Sequence, residues 1–301
     1  MPRTLADELL EGAIDFHAHI YPQLTLEESG RVLDHEWAEA ARAHGMRGFV
    51  MKSHLWPTVA QARILCEVYP GVAAMGSIVL NSNVGGLSPF AAESAARLGA
   101  KVIWMPTYTS ANDIQVKAFS RRVAGAYKNK PPHPGAAEGL TVLGKDGKVL
   151  PEVDAILEIA RDADIVVATG HLSAAEGVAL ARRAKEAGLK KFVYTHPIIH
   201  IVDASDAQMR EVADLGYIVE FTWISAFPMW QGLDPKKIAA TAKMLGAERC
   251  IMTTDAQGDV NPTPPEMLRM FIASMLLLGL SAEEVRWMVQ RNPARLAGLE
   301  G

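Results

Sequence analysis

The sequence predicts an α/β fold, a (β/α)8 TIM barrel with a long insertion after its fourth strand. Three observations predict it. From Arg47 onward, short β-rich apolar runs alternate with Ala-rich amphipathic segments, the rhythm of repeated βα units. The alternation reaches eight strands and eight helices, the count of a barrel. Polar residues that a core should exclude recur at the C-terminal ends of those strands, which a barrel gathers on one face. A doubly wound sheet also fits the alternation, but it does not account for that gathering.

The first strand, Ala13–His19, is an apolar run in strict alternation. Residues two apart share a face of a strand, so Asp15, His17 and His19 project together. Buried imidazoles and a carboxylate each need a partner. A metal ion supplies one, and hydrogen bonds within the core would also serve. The further strands are Gly48–His54, Val72–Leu80, Lys101–Pro106, Ile165–His171, Lys191–His196, Tyr217–Thr222 and Arg249–Asp255. Helical patterns lie between them at Asp34–His44, Thr58–Tyr69, Ser88–Leu98, Glu152–Arg161, Ala174–Ala187, Ser205–Leu215, Pro235–Leu245 and Pro264–Leu278. Gly45, Gly99, Gly188, Gly216 and Gly246 close helices before the next strand, as left-handed caps do.

Thr107 to Pro151 is far longer than an ordinary βα connection. It contains a basic loop, Lys128–Pro134, and a hairpin pattern turning at Asp146-Gly147. As an insertion after a strand's C-terminal end, residues 107–151 would overhang the site face, either as a lid or as an inert excursion. The chain, insertion included, reads as one domain, residues 1–301.

Composition bounds the function. Net charge is −4 and hydrophobic content 49%, which argues for a large core and against nucleic-acid or anionic-membrane partners. The N-terminus has no apolar signal region. The most apolar stretch, Met267–Leu280, carries Arg269 and is shorter than the roughly 20 residues of a membrane span. Two distant cysteines, Cys66 and Cys250, make no disulfide framework. A cytoplasmic protein acting on a small molecule is expected, with homo-oligomerisation left open.

Strand ends carry the chemistry. His17 and His19 end the first strand, Lys52-Ser53-His54 the second, Thr169-Gly170-His171 the fifth, Tyr194-Thr195-His196 the sixth and Thr253-Thr254-Asp255 the eighth. With His17-Ala18-His19, His171, His196, Asp255 and the C-terminal Arg291-Asn292-Pro293-Ala294-Arg295, the chain resembles the amidohydrolase superfamily of metal-dependent hydrolases. The resemblance implies that His17, His19, His171, His196 and Asp255 bind one or two divalent ions. It implies hydrolysis of an amide, ester or lactone-type bond, with decarboxylating and isomerising exceptions. Many members bridge two metals with a carboxylated lysine or a glutamate after strand four, where this chain has Trp104-Met105-Pro106.

Lys52 is the candidate substitute, since burial lowers an amine's pKa and the neutral form reacts with carbon dioxide. A contact with an anionic substrate is its other role. Zinc is the first choice of metal, with manganese, iron or nickel as alternatives. A bound cation acidifies its water to a pKa of roughly 7. Asp255 would take that proton and deliver it to the leaving group. His54 would hydrogen-bond the substrate or a developing oxyanion, and Asp15 would accept a histidine N–H. A metal-dependent decarboxylase or lyase, and a non-catalytic small-molecule-binding barrel, are the competing readings. Glu176 and Glu284 read as capping-box residues with Ser173 and Ser281. His35 and His44 read as surface residues, His200 as a pocket candidate and His133 as part of the basic loop. Glu220 reads as a pocket residue or a member of an internal ion pair. Trp104, Tyr108, Trp223, Phe227 and Trp230 could form an aromatic wall.

Overall fold

A computed structural model describes residues 3–21, 23, 33–126, 138–257 and 261–300. In chain order these form helix α1 (Leu5–Leu10), strand β1 (Ile14–His19), α2 (Asp34–Ala43), β2 (Gly48–Lys52), α3 (Val59–Val68), β3 (Ala73–Met75) and β4 (Ser77–Val79). Next come α4 (Pro89–Arg97), β5 (Val102–Trp104), α5 (Ala111–Val116) and α6 (Phe119–Ala126). The alternation resumes with α7 (Pro151–Asp162), β6 (Val166–Ala168), α8 (Ala174–Glu186), β7 (Phe192–Tyr194), α9 (Asp206–Asp214) and β8 (Ile218–Thr222). It ends with α10 (Pro235–Leu245), β9 (Cys250–Thr253), α11 (Pro264–Leu277), α12 (Ala282–Arg286) and α13 (Asn292–Ala297). No described helix is long and apolar enough to cross a membrane.

Each expected strand and helix has its counterpart, but several strands end short of their expected bounds, leaving His171, His196 and Asp255 just past them, and one strand is broken. The second strand stops at Lys52, so Ser53 and His54 lie in the turn that follows. The third strand is broken at Gly76 into β3 and β4. Thr58 explains the break: its hydroxyl accepts the Ser77 N–H at 2.9 Å and its own N–H donates to the Ser77 carbonyl at 3.0 Å. β3 pairs with β2, and β4 pairs with β5.

The described residues form two compact units. One comprises those of Met1–Lys52, Ala60–Gly76 and Glu220–Gly301. Its sheet is parallel, in the order β1-β2-β3. The β1–β2 register runs Ile14↔Gly48 and Asp15↔Phe49, shifts, and resumes at Ala18↔Met51 and His19↔Lys52. On its other side β1 accepts the Asp255 N–H at the His17 carbonyl, 2.8 Å, and donates His19 N–H to Ala256, 3.2 Å. Trp37 of α2 stacks on Phe49 of β2, with ring centroids 4.2 Å apart and planes 9° apart. The Asn292 amide donates to the carbonyls of Ala247 and Cys250 at 2.9 and 2.8 Å, so the C-terminal Asn-Pro segment anchors the start of β9.

The other unit comprises Ser53–Val59 and the described residues of Ser77–Val219. Its strands run parallel in the order β4-β5-β6-β7, with the first half of β8 following β7. Their residues are buried throughout, as expected of parallel strands covered on both faces. Strand order follows chain order without reversal, the single winding of a barrel; a doubly wound sheet reverses at a switch point.

The insertion has structure of its own in its described parts. Leu143 bridges Val149 in antiparallel fashion, and Gly147 turns the hairpin at φ 77°, as Asp146-Gly147 predicted. Thr141 and Val142 are held by the Glu176 carboxylate at 2.6 and 3.2 Å, so this capping-box residue also ties the insertion to α8. Lys117, Arg121 and Arg122 are exposed. The basic loop with Lys128, Lys130 and His133 lies outside the described residues.

At Gly48 the β2 backbone passes so close to β3 that an added Cβ would sit 2.2 Å from the Ala73 carbonyl oxygen. Gly48→Ala therefore forces the β2–β3 pair apart and should cost about 1–3 kcal/mol in urea unfolding. A loss under about 0.5 kcal/mol, the level of an inert surface change, would contradict that register.

Candidate active site

In the unit containing β1, His17, His19, Lys52 and Asp255 come together. Asp255 follows the end of β9, and its Oδ1 lies 3.1 Å from His17 Nε2 and 2.9 Å from His19 Nε2. The Lys52 Nζ lies 2.8 Å from the same His17 nitrogen. His17 Nδ1 meets Glu220 Oε1 of β8 at 3.1 Å, and the Thr253 hydroxyl donates to that same carboxylate oxygen at 3.0 Å. Asp15 accepts the backbone N–H groups of His17 and Thr254 at 3.2 and 3.0 Å, together with the Thr254 hydroxyl.

These contacts correct the expected role of Asp15. It supports the site through backbone and threonine contacts, and the carboxylate on the histidine ring is Glu220. The reason is reach: Asp15, two residues before His17 on one strand, meets main chain, while Glu220 approaches the ring from another strand. The internal ion pair suggested for Glu220 is therefore this one.

Electrostatics follow burial. Lys52 is fully buried, and desolvation brings its pKa down to about 8 against the pull of Asp255 and Glu220. Burial takes His19 down to about 4, leaving the neutral imidazole that binds metals. For His17, burial pulls down but the Asp255 and Glu220 carboxylates outweigh it and raise the value. Burial would raise Asp255, yet His17 and His19 hold it well below the ordinary range. Asp15 is lifted by burial to about 7, with its hydrogen bonds to Thr254 and His17 opposing.

The donor chemistry fits a divalent cation. With Glu220 accepting its Nδ1–H, a neutral His17 would present its Nε2 lone pair beside Asp255 Oδ1 and the Lys52 amine. One ligand atom from each of His17, His19 and Asp255 lies within 4.8 Å of the others, all three residues buried. Lone pairs crowded together out of water repel, and a shared cation turns that repulsion into coordination. The carboxylate-on-imidazole contact of Glu220 is the arrangement that orients metal-binding histidines.

A second cluster occupies the other unit. His54 and His171 have ring centroids 5.8 Å apart, and His171 and His196 5.3 Å apart. His54 Nδ1 lies 2.8 Å from the Thr107 hydroxyl, and its ring packs on Phe119 at 4.3 Å and edge-on to Tyr108 at 6.1 Å. Asn81 ties this corner together by donating to the His54 carbonyl and the Thr107 hydroxyl at 2.9 and 2.7 Å. His171 Nδ1 meets Asp113 Oδ2 at 2.6 Å. Burial raises the Asp113 carboxyl, but His171 and Ser120 outweigh it and the pKa is lowered.

Asp113, Thr107 and Asn81 are contributors that sequence reasoning missed. Ser110-Ala-Asn-Asp113 has the spacing of a capping box, and Ser110 does accept the Asp113 N–H at 3.0 Å. The Asp113 carboxylate, however, turns to His171. Of the aromatic candidates, Trp104 is fully buried core and Trp223 stacks on Phe271 at 4.8 Å. His200 is exposed, and His35 and His44 are exposed as expected.

Backbone strain marks two of these positions. Asp255 and His196 have φ values of 51° and 30°, in the left-handed region that disfavours side chains with a Cβ. Such strain collects at functional sites. At Gly170, φ 58°, an added Cβ would lie 2.4 Å from the Met105 carbonyl oxygen, so only glycine lets the chain turn into His171.

The model of a family of unknown function (DUF6282) matches residues 12–220. The chain belongs to this family. No curated protein matches the DUF6282 chain in sequence. Solved structures match it in fold. An amidohydrolase from Pseudomonas aeruginosa superposes with a TM-score of 0.64 at 13% identity, covering 97% of each chain. A mutant organophosphorus hydrolase from Deinococcus radiodurans gives 0.59 at 16% identity, over 97% of this chain and 94% of its own. A probable 2-pyrone-4,6-dicarboxylic acid hydrolase from Acinetobacter baumannii, with citric acid bound, gives 0.58 at 14% identity over 95% and 99%. At these identities the likeness is one of fold, and that fold is an α/β barrel.

The strain at Asp255 yields a comparison in which both variants lack the carboxylate. Asp255→Gly should resist urea unfolding better than Asp255→Ala by about 1 kcal/mol, since only glycine adopts that backbone without penalty. Equal stabilities would remove the argument from strain.

Proposed function

We propose that this chain is a metal-dependent hydrolase that cleaves an amide, ester or lactone-type bond of a small molecule. The observation that carries the proposal is the buried set of His17, His19 and Asp255, whose ligand atoms converge within 4.8 Å. Hydrolases of organophosphorus compounds and of pyrone-dicarboxylic acid share the fold, which supports hydrolysis as the reaction class. A divalent cation held there, zinc first for a mixed imidazole–carboxylate set, supplies a Lewis acid and brings the pKa of water to roughly 7.

The chain's residues divide the remaining work. His17 and His19 bind through neutral imidazole. Glu220 keeps the Nδ1 proton of His17 and so leaves Nε2 to the metal. Asp15 anchors Thr254, and with it the backbone leading into Asp255. Asp255 has 11% of its side chain exposed against 0% for His17, so it is the group able to take a proton from water and pass it to the leaving group. The roles of His171 and His196 as further ligands rest on the resemblance to the superfamily, and that of His54 in hydrogen-bonding substrate or a developing oxyanion rests on its place after the second strand.

Lys52 touches the nitrogen that a metal would use. As a carbamate it would bridge two ions; as an ammonium it would hold an anionic group of the substrate. Native mass spectrometry of metal-loaded protein distinguishes the two by the added carbon dioxide. The free cysteines Cys66 and Cys250 suit the reducing cytoplasm, where we place the protein.

A decarboxylase or lyase is the second reading. The end of β5, Trp104-Met105-Pro106, favours it by lacking the lysine or glutamate that bridges two metals in many hydrolases.

Elemental analysis of the purified protein should find stoichiometric divalent metal, and metal removal should abolish turnover on a panel of esters, lactones and amides until metal is restored. His19→Ala should lose most of the metal. Metal-free protein that neither binds added zinc, manganese or iron nor gains activity would overturn the proposal, and carbon dioxide release would favour the lyase. Glu220→Ala should weaken metal affinity by about 10–100-fold, measured by competition with a chelating dye. Asp255→Asn should lower kcat by roughly 10²–10⁴, and unchanged turnover would remove Asp255 as the proton carrier.

A further inference from the structure

We infer that Asp113, supplied by the insertion, is a positioning residue that fixes the neutral His171 ring as the Nδ1–H tautomer. The insertion is thus a built part of the His171 environment rather than an excursion.

The geometry comes from one short helix. Ser110, the N-cap of α5, donates its hydroxyl to the His171 carbonyl at 3.0 Å. Asn112, on the first turn, donates its amide to that carbonyl at 3.0 Å and to the Ile201 carbonyl at 2.7 Å. Asp113 then reaches the ring, with Oδ2 2.6 Å from Nδ1. Three residues within four positions therefore grip both the main chain and the imidazole of His171. On the other side, His171 N–H donates to the Pro106 carbonyl at 3.0 Å, and Gly170 supplies a turn that no other residue fits.

Asp113 is itself fully buried and its two oxygens have different tasks. Oδ1 accepts the Ser120 backbone N–H at 2.7 Å, which leaves Oδ2 to the histidine. A carboxylate accepts hydrogen bonds and donates none, so the ring nitrogen facing it must carry the proton. In the neutral ring Nε2 then carries the lone pair, the state a metal ligand or a general base needs. Asp113 fixes this state whichever of the two His171 is.

The arrangement predicts what Asp113→Asn does. The Ser120 N–H still demands an oxygen, so the amide oxygen takes the Oδ1 place and the NH2 group faces His171. An NH2 group only donates, and the imidazole must answer with a bare Nδ1 and a protonated Nε2.

The test is nitrogen NMR of side-chain imidazoles in the metal-free full-length protein, with His171 signals assigned by their loss in His171→Gln. The wild-type protein should show the Nδ1–H tautomer, and Asp113→Asn should lose it in favour of Nε2–H. Asn112→Ala, which loosens only the carbonyl grip, should keep the wild-type tautomer. A wild-type Nε2–H tautomer would overturn the inference without any variant. An Asp113→Asn protein that remains folded by its amide spectrum and keeps Nδ1–H would overturn it as well. The measurement involves neither metal nor turnover, so failure here leaves the hydrolase reading intact, and failure of that reading leaves this assignment intact.

Discussion

One imidazole nitrogen, Nε2 of His17, sets the constraint that its unit is built to satisfy. Within 3.1 Å of it stand a carboxylate oxygen of Asp255 and the amine of Lys52. A single lone pair cannot serve a donor and face another lone pair out of water without cost. The surrounding contacts make sense as ways of holding this crowd still. Glu220 fixes the far side of the ring, Thr253 fixes Glu220, and Asp15 fixes the backbone before Asp255. Asp255 is carried on a left-handed backbone, a conformation that the local chain would not choose for itself.

Much of this was legible in the sequence because barrel chemistry lies at strand ends. Periodicity located the strands and helices of the alternation, though not α1, α5, α6 or α13, and the alternation of β1 already put Asp15, His17 and His19 on one face. The break of the third strand was not legible, because it depends on Thr58 capturing the Ser77 backbone, a contact between residues whose own patterns are unremarkable. Asp15, expected to accept a histidine N–H, accepts that of the His17 main chain, and the partner of the ring is Glu220 for a similar reason. Sequence spacing reports neighbours along a strand, while the carboxylate that meets the ring arrives from β8.

The insertion shows the same limit more sharply. Its length marked it as unusual, and its hairpin was readable from Asp146-Gly147. Nothing in its local pattern separates Asp113 from an ordinary first-turn helix residue. What distinguishes Asp113 is a partner far along the chain, His171, and a second hydrogen bond that fixes which oxygen faces it. His17 and His171 thus share one device, a buried carboxylate on Nδ1 that orients the ring, built in one case from a barrel strand and in the other from inserted helices.

The central claim is that His17, His19 and Asp255 are brought together to hold a cation. Anomalous diffraction from crystals grown with zinc, recorded on both sides of its absorption edge, tests it most directly. The account predicts a peak about 2.0–2.2 Å from a ring nitrogen of His17, a ring nitrogen of His19 and an oxygen of Asp255. A fully soaked crystal with no peak at these three residues would contradict it.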